Sequence, residues 1–116
     1  MANRSDIRLS VYQDGGGIDE IRWEADEGPE PGEQVAKAMI LALWDAERRN
    51  ALRIDLWTKD LSVDDMNDFF FQTLMSLADT YRNATNDSGL MAEIKLFARE
   101  FAEKAAKAAK GQGGAT

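Results

Sequence analysis

Leu52-Arg53-Ile54-Asp55-Leu56-Trp57-Thr58-Lys59-Asp60 alternates apolar and polar side chains, and Ser62-Val63-Asp64-Asp65 follows it almost at once. A period of two places Leu52, Ile54 and Leu56 on one face of a strand and Arg53, Asp55, Trp57 and Lys59 on the other. At Ser62 the spacing becomes helical: Met66, Phe69, Phe70, Thr73, Leu74, Leu77 and Tyr81 trace one stripe. Ser62 has the chemistry of an N-cap, and Asp64 and Asp65 put carboxylates where the first turn leaves backbone N–H groups free. The middle of the chain is therefore a strand that ends in a turn and gives way to a long helix.

Working back from that junction, Ile7, Leu9 and Val11 alternate with polar neighbours. Asp14-Gly15-Gly16-Gly17 then supplies a reversal, and Ile21, Trp23 and Ala25 alternate again. This predicts a hairpin whose register is set by burying Trp23 rather than Glu24. The run Val35 to Trp44 is apolar apart from Lys37, its apolar residues would cover every face of a helix, and it reads two ways. Its Ala, Met and Leu content suits a helix over residues 34–47, which would leave a three-stranded sheet and three helices. Read as a strand, it forms a second hairpin with the Leu52 segment through a polar loop at Asp45 to Asn50, the reading preferred here because sequence neighbours tend to pair.

Beyond the first long helix, Asn83 to Gly89 marks a turn. Leu90, Ile94, Phe97, Phe101 and Ala105 then form the stripe of a second helix, expected to stop at Gly111. The expectation is an α+β fold: a four-stranded antiparallel sheet made of two consecutive hairpins, followed by two long C-terminal helices. It takes residues 1–110 as a single domain, with residues 111–116 as a disordered tail.

The composition narrows the function. The 116 residues contain neither cysteine nor histidine, which removes disulfides, zinc-thiolate sites, thiol nucleophiles and the commonest general base near neutral pH. A formal net charge of −7 opposes bulk attraction to nucleic acid or anionic lipid. Acid is densest from Glu24 to Glu33 and reads as a solvated loop, with docking of a basic partner or weak calcium binding as alternatives. No run approaches the ~18 apolar residues that would span a bilayer, so no membrane insertion is expected. Met1 to Asp6 is polar and leads into no apolar segment, so the expected location is cytoplasmic.

Candidate chemistry is sparse. Asp64, Asp65 and Asp68 cluster at a helix start, where capping and solvation account for them without a metal or an acid–base pair. Asp45-Ala46-Glu47 with Asn50 lacks the glycine and terminal glutamate of a calcium loop. Gly15-Gly16-Gly17 follows a strand, but no helix N-terminus follows it to hold a phosphate. The sequence therefore implies no enzyme, no cofactor and no metal.

One face is unexplained by folding. Trp57 shares it with Arg53, Asp55 and Lys59, and Trp44 and Arg22 are placed there too. Aromatic residues beside arginines mark protein interfaces and single-strand nucleic-acid platforms. Arg22, Trp44, Arg53, Asp55, Trp57 and Lys59 are therefore the candidate interaction face. A dimer face, or a core closed by the terminal helix, explains the same pattern.

The segment Leu52 to Asp60 with Ser62-Val63-Asp64-Asp65-Met66 resembles the central motif of the gliding motility protein GldC family. The likeness extends to Lys37-Ala38-Met39-Ile40-Leu41-Ala42-Leu43-Trp44-Asp45, to Phe70 to Thr85, and to the stretch Met91 to Lys104, roughly Ile7 to Lys104 in all. It implies a small accessory protein of the Bacteroidota gliding machinery, linked to type IX secretion, with motility or secretion proteins as partners and no known enzymatic activity. A homodimer through the aromatic face is expected. The alternative is a single-stranded nucleic-acid binder, because four antiparallel strands and a long helix look like the topology of PC4-like and Whirly-type proteins.

Overall fold

A computed structural model describes the backbone of residues 3–114 and the side chains of residues 3–109. The chain divides into two compact units, Met1–Leu61 and Ser62–Thr116. The first is all β, with β1 (Ile7–Asp14), β2 (Gly17–Ala25), β3 (Gln34–Ala36), β4 (Ala38–Asp45) and β5 (Asn50–Trp57). The second holds α1 (Val63–Thr85) and α2 (Ser88–Gly114).

The first hairpin forms, but its apolar side is only partly covered: Ile7 and Leu9 are exposed, and Trp23 is half-buried, as Glu24 is. β1 and β2 are antiparallel, with Leu9 opposite Trp23 and Val11 opposite Ile21, and the register shifts at Tyr12 and Gln13. Ile21 is fully buried. In the turn, the Gly16 N–H donates to Asp14 Oδ1 at 2.8 Å, and Gly17 takes a φ of 128°, a conformation that excludes most side chains.

Residues 34–45 are extended, which corrects the helical alternative for residues 34–47. The helix-favouring residue types are overridden by eight consecutive antiparallel pairs between β4 and β5, from Ala38 opposite Trp57 to Asp45 opposite Asn50. The α+β class stands, but the single four-stranded sheet does not. β1-β2-β3 form one sheet and β4-β5 another.

The reason is one of length. β2 pairs with β3 so that Ile21 lies opposite Ala36. Continuing that register would bring the start of β2, Gly17, opposite Ile40 and leave Leu41 to Asp45 without a partner. The chain instead changes neighbours at Lys37. The Thr58 N–H donates to the Lys37 carbonyl at 2.8 Å, and the Lys59 N–H donates to the Ile18 carbonyl at 2.9 Å. Those bonds seat the end of β5 where β2 begins.

In the helical unit, Ser62 is the N-cap of α1, its Oγ accepting from the Asp65 N–H at 3.0 Å. Asn86 closes α1 in the left-handed conformation, and its N–H donates to the Arg82 carbonyl at 2.7 Å. Asp87 Oδ1 then accepts from the Leu90 N–H at 2.9 Å, satisfying a free donor at the start of α2. The two helices pack through Ala78 and Ala98, both fully buried, small residues whose lack of bulk permits a close approach. Phe70 and Phe101 meet with ring centres 6.4 Å apart, and Lys95 Nζ lies 2.9 Å from Asp79 Oδ1. α2 continues to Gly114, past Gly111, where the sequence places its stop. Thr116 and its neighbour Ala115, at the end of the expected tail, lie outside the described residues.

Replacing the cap, Ser62→Ala, should cost about 1 kcal/mol. Ala98→Leu should cost more, ~1–3 kcal/mol, because the helix contact has no room for the added carbons. Urea unfolding followed by helical circular dichroism measures both, and an Ala98→Leu chain as stable as the parent would refute the close contact.

Candidate interaction surface

The β4–β5 ladder sorts its side chains onto two faces. On one, Met39 lies opposite Leu56, Leu41 opposite Ile54, and Leu43 opposite Leu52. On the other, Ala38 lies opposite Trp57, Ile40 opposite Asp55, Ala42 opposite Arg53, and Trp44 opposite Ala51. The first face is apolar up to the Asp45–Asn50 pair at its end, and the second sets Arg53 and Asp55 among apolar residues. Both stand open: Leu43 is 58% exposed, Ile54 51%, Trp44 61% and Trp57 56%. A two-stranded hairpin is only marginally stable in water by itself, so this concentration of open apolar surface is the most unusual feature of the β unit.

Leu52 and Ile54 lie on the apolar side of β5, where alternation would suit a core. They are exposed instead, and Leu56 is half-buried. Alternation identifies the apolar side of a strand correctly, yet it carries no information about what covers that side.

The six residues of the expected interaction face are only partly together. Trp44, Arg53, Asp55 and Trp57 share one face of the β4–β5 ladder. Trp57 sits across from Ala38, six positions from Trp44, so the two indoles are about 20 Å apart along the strands. Between them Arg53 Nη2 bonds Asp55 Oδ2 at 2.8 Å. Trp44 carries the Arg49 guanidinium 5.8 Å from its ring centre. Lys59 falls beyond the end of β5 and is held by the first hairpin, with Nζ 2.6 Å from Asp19 Oδ1 and 3.6 Å from Asp14 Oδ2.

Arg22 belongs to the other sheet. It lies 4.8 Å from the Tyr12 ring centre and bonds Glu20 at 3.0 Å and Glu33 at 3.3 Å. Its distance from the aromatic face follows from the change of sheet at Lys37, which no local pattern announces. Ile40 and Leu43, which lie outside the expected interaction residues, belong to the open surface together with Leu52 and Ile54. The signal was present in the uninterrupted apolar run of β4, which suits a strand covered on both sides.

The acidic stretch is partly tied down. Asp26 accepts from the Asp6 N–H at 2.9 Å and from Arg8 Nη2 at 2.9 Å, and Glu24 lies 3.3 Å from Arg8. The Asp6 N–H and the Arg8 guanidinium hold the Asp26 carboxyl below the usual carboxylate range. Among the described residues, no three acidic side chains converge in a way that would hold a metal ion. Asp64 and Asp68 line shallow grooves along α1 and α2, where the other walls include Phe71, Phe97, Phe101 and a row of alanines. Among the described residues, no helix is long and apolar enough to cross a membrane.

The pattern carried by these elements has a counterpart. The family model for gliding motility-associated GldC-like proteins matches residues 18–107, from β2 into α2. The chain belongs to the GldC-like family. Neither a curated protein nor a solved structure matches it. The GldC-like match spans the whole β4–β5 hairpin, α1 and α2 as far as residue 107, so the open surface lies within the family's common region and not in an appendage.

The depressed carboxyl of Asp26 gives a pH test. Its folded pKa lies below the unfolded value of about 3.9, so its stabilisation is complete above that value and lost as pH falls through the lower folded one. Asp26→Asn should therefore lower the urea midpoint at pH 7, and the gap to the parent chain should close below about pH 4. A gap of constant size across that range would show that the ion pair and the Asp6 N–H do not set it.

Proposed function

We propose that this GldC-like chain is a non-enzymatic interaction module. In this reading it works in the cytoplasm, and two copies associate and dock onto components of the gliding or secretion machinery. The observation that carries it is the β4–β5 hairpin, which keeps apolar side chains open on both faces inside the region shared with the family. Such a surface fits a protein partner, because aromatic side chains next to paired charges are typical of interface centres and their rims.

Nucleic acid is the weaker reading. Arg22, Arg53 and Lys59, the cations expected to meet phosphate, each hold a carboxylate. The net charge of −7 opposes a polyanion as well. The single four-stranded sheet that resembles single-strand binders is not formed within the chain.

The test uses a tagged full-length chain returned to a gliding host. The parent chain should recover motility or secretion components, and Trp44→Ser with Trp57→Ser should lose them while the helical circular dichroism signal is kept. Equal recovery by the double variant would remove the aromatic face from the reading. Recovery of nuclease-sensitive material alone would overturn the protein-partner reading.

A further inference from the structure

β4 has the sequence of a central strand and the position of an edge strand. From Ala38 to Trp44 it contains no charge and no proline, and its pairing with β5 runs through eight pairs without a register shift. Edge strands are normally protected by charges, prolines or bulges, because a bare row of N–H and C=O groups accepts another strand. β5 carries such protection in Arg53 and Asp55. β4 has none, and among the described residues it pairs with β5 alone. A run that is apolar on both faces is the pattern of a strand with neighbours on both sides.

We propose that β4 pairs antiparallel with β4 of a second copy about a two-fold axis at Leu41, joining two hairpins into one four-stranded sheet. This rests on the reading that two copies associate, and it says where they meet. Like faces must stay on the same side, so the numbers of two opposed residues add to an even value. An axis at Ile40 would set Lys37 opposite Leu43, and an axis at Ala42 would set Asp45 opposite Met39. The axis at Leu41 sets Lys37 opposite Asp45 of the second copy, twice over by symmetry. Lys37 already bonds Asp60 at 2.8 Å, and the second copy adds another carboxylate to that cation.

The same axis matches side-chain sizes. Met39 meets Leu43, Leu41 meets Leu41, Ile40 meets Ala42, and Ala38 meets Trp44. Because Trp57 already faces Ala38 and Trp44 faces Ala51, one row across the joined sheet reads Trp57, Ala38, Trp44, Ala51. Large and small residues alternate along it, so each indole has an alanine beside it rather than another ring. On the opposite face, Leu, Met and Ile of both copies form one apolar surface bounded at each end by a Lys37–Asp45 pair.

The chain has no cysteine, so introduced thiols report position cleanly. Directly opposed residues in an antiparallel pair have Cα atoms about 4.5–5.5 Å apart, inside the usual disulfide range of about 4.4–6.8 Å. Residues two positions out of register are about 7–8 Å apart. Under mild oxidation Leu41→Cys should become mostly a disulfide-linked dimer, and Ala51→Cys on β5 should remain mostly unlinked. Ile40→Cys mixed with Ala42→Cys should link several-fold more than either alone, which tests the register even if Leu41→Cys folds poorly.

Light scattering on the parent chain separates this pairing from the dimer reading beneath it. A mass of twice 12.9 kDa with no preferential link at position 41 or in the 40/42 mixture overturns the β4 pairing and leaves association standing. A mass of 12.9 kDa at tens of micromolar overturns both.

Discussion

The hydrogen bond from the Thr58 N–H to the Lys37 carbonyl decides where one sheet ends and the other begins. Lys37 is the single residue between β3 and β4, and Thr58 is the first residue after β5. Thr58 is also the one buried polar side chain among the described residues, and its Oγ1 donates to Asp60 at 2.7 Å. Asp60 in turn holds Lys37, so the backbone bond is reinforced by a side-chain loop closed on itself. One residue further on, Lys59 gives its N–H to Ile18 and its ammonium to Asp19. The second hairpin is thereby fixed to the first by its base, while its two strands run on with neither face closed.

That joint explains what could and could not be read from the residues. The β1–β2 hairpin, the β4–β5 hairpin and the Ser62 cap follow from local rules: alternation, glycine in a turn, and a hydroxyl ahead of a helical stripe. Whether two hairpins share one sheet depends on the length of β2 and on a bond between residues 21 positions apart, and no periodicity encodes either. The apolar run of β4 was ambiguous for a related reason. Ala, Met and Leu carry a helical preference worth tenths of a kcal/mol each, which eight cross-strand pairs readily outweigh.

The candidate face shows the same boundary between what is local and what is not. Trp44, Arg53, Asp55 and Trp57 share a face because parity along paired strands is a local property. Arg22 does not join them, because its strand lies in the other sheet. Leu52 and Ile54 were legible as apolar and illegible as open. For a GldC-like protein this matters, since the feature that distinguishes the described residues is an open apolar surface.

The three tryptophans, Trp23, Trp44 and Trp57, all fall in the β unit, and none falls in α1 or α2. The molecule is therefore optically divided. Its indole emission arises from the β unit, whereas its far-ultraviolet ellipticity is dominated by the helical pair. Comparing the two signals during denaturation asks whether the units melt as one cooperative body or as two, without any label being added.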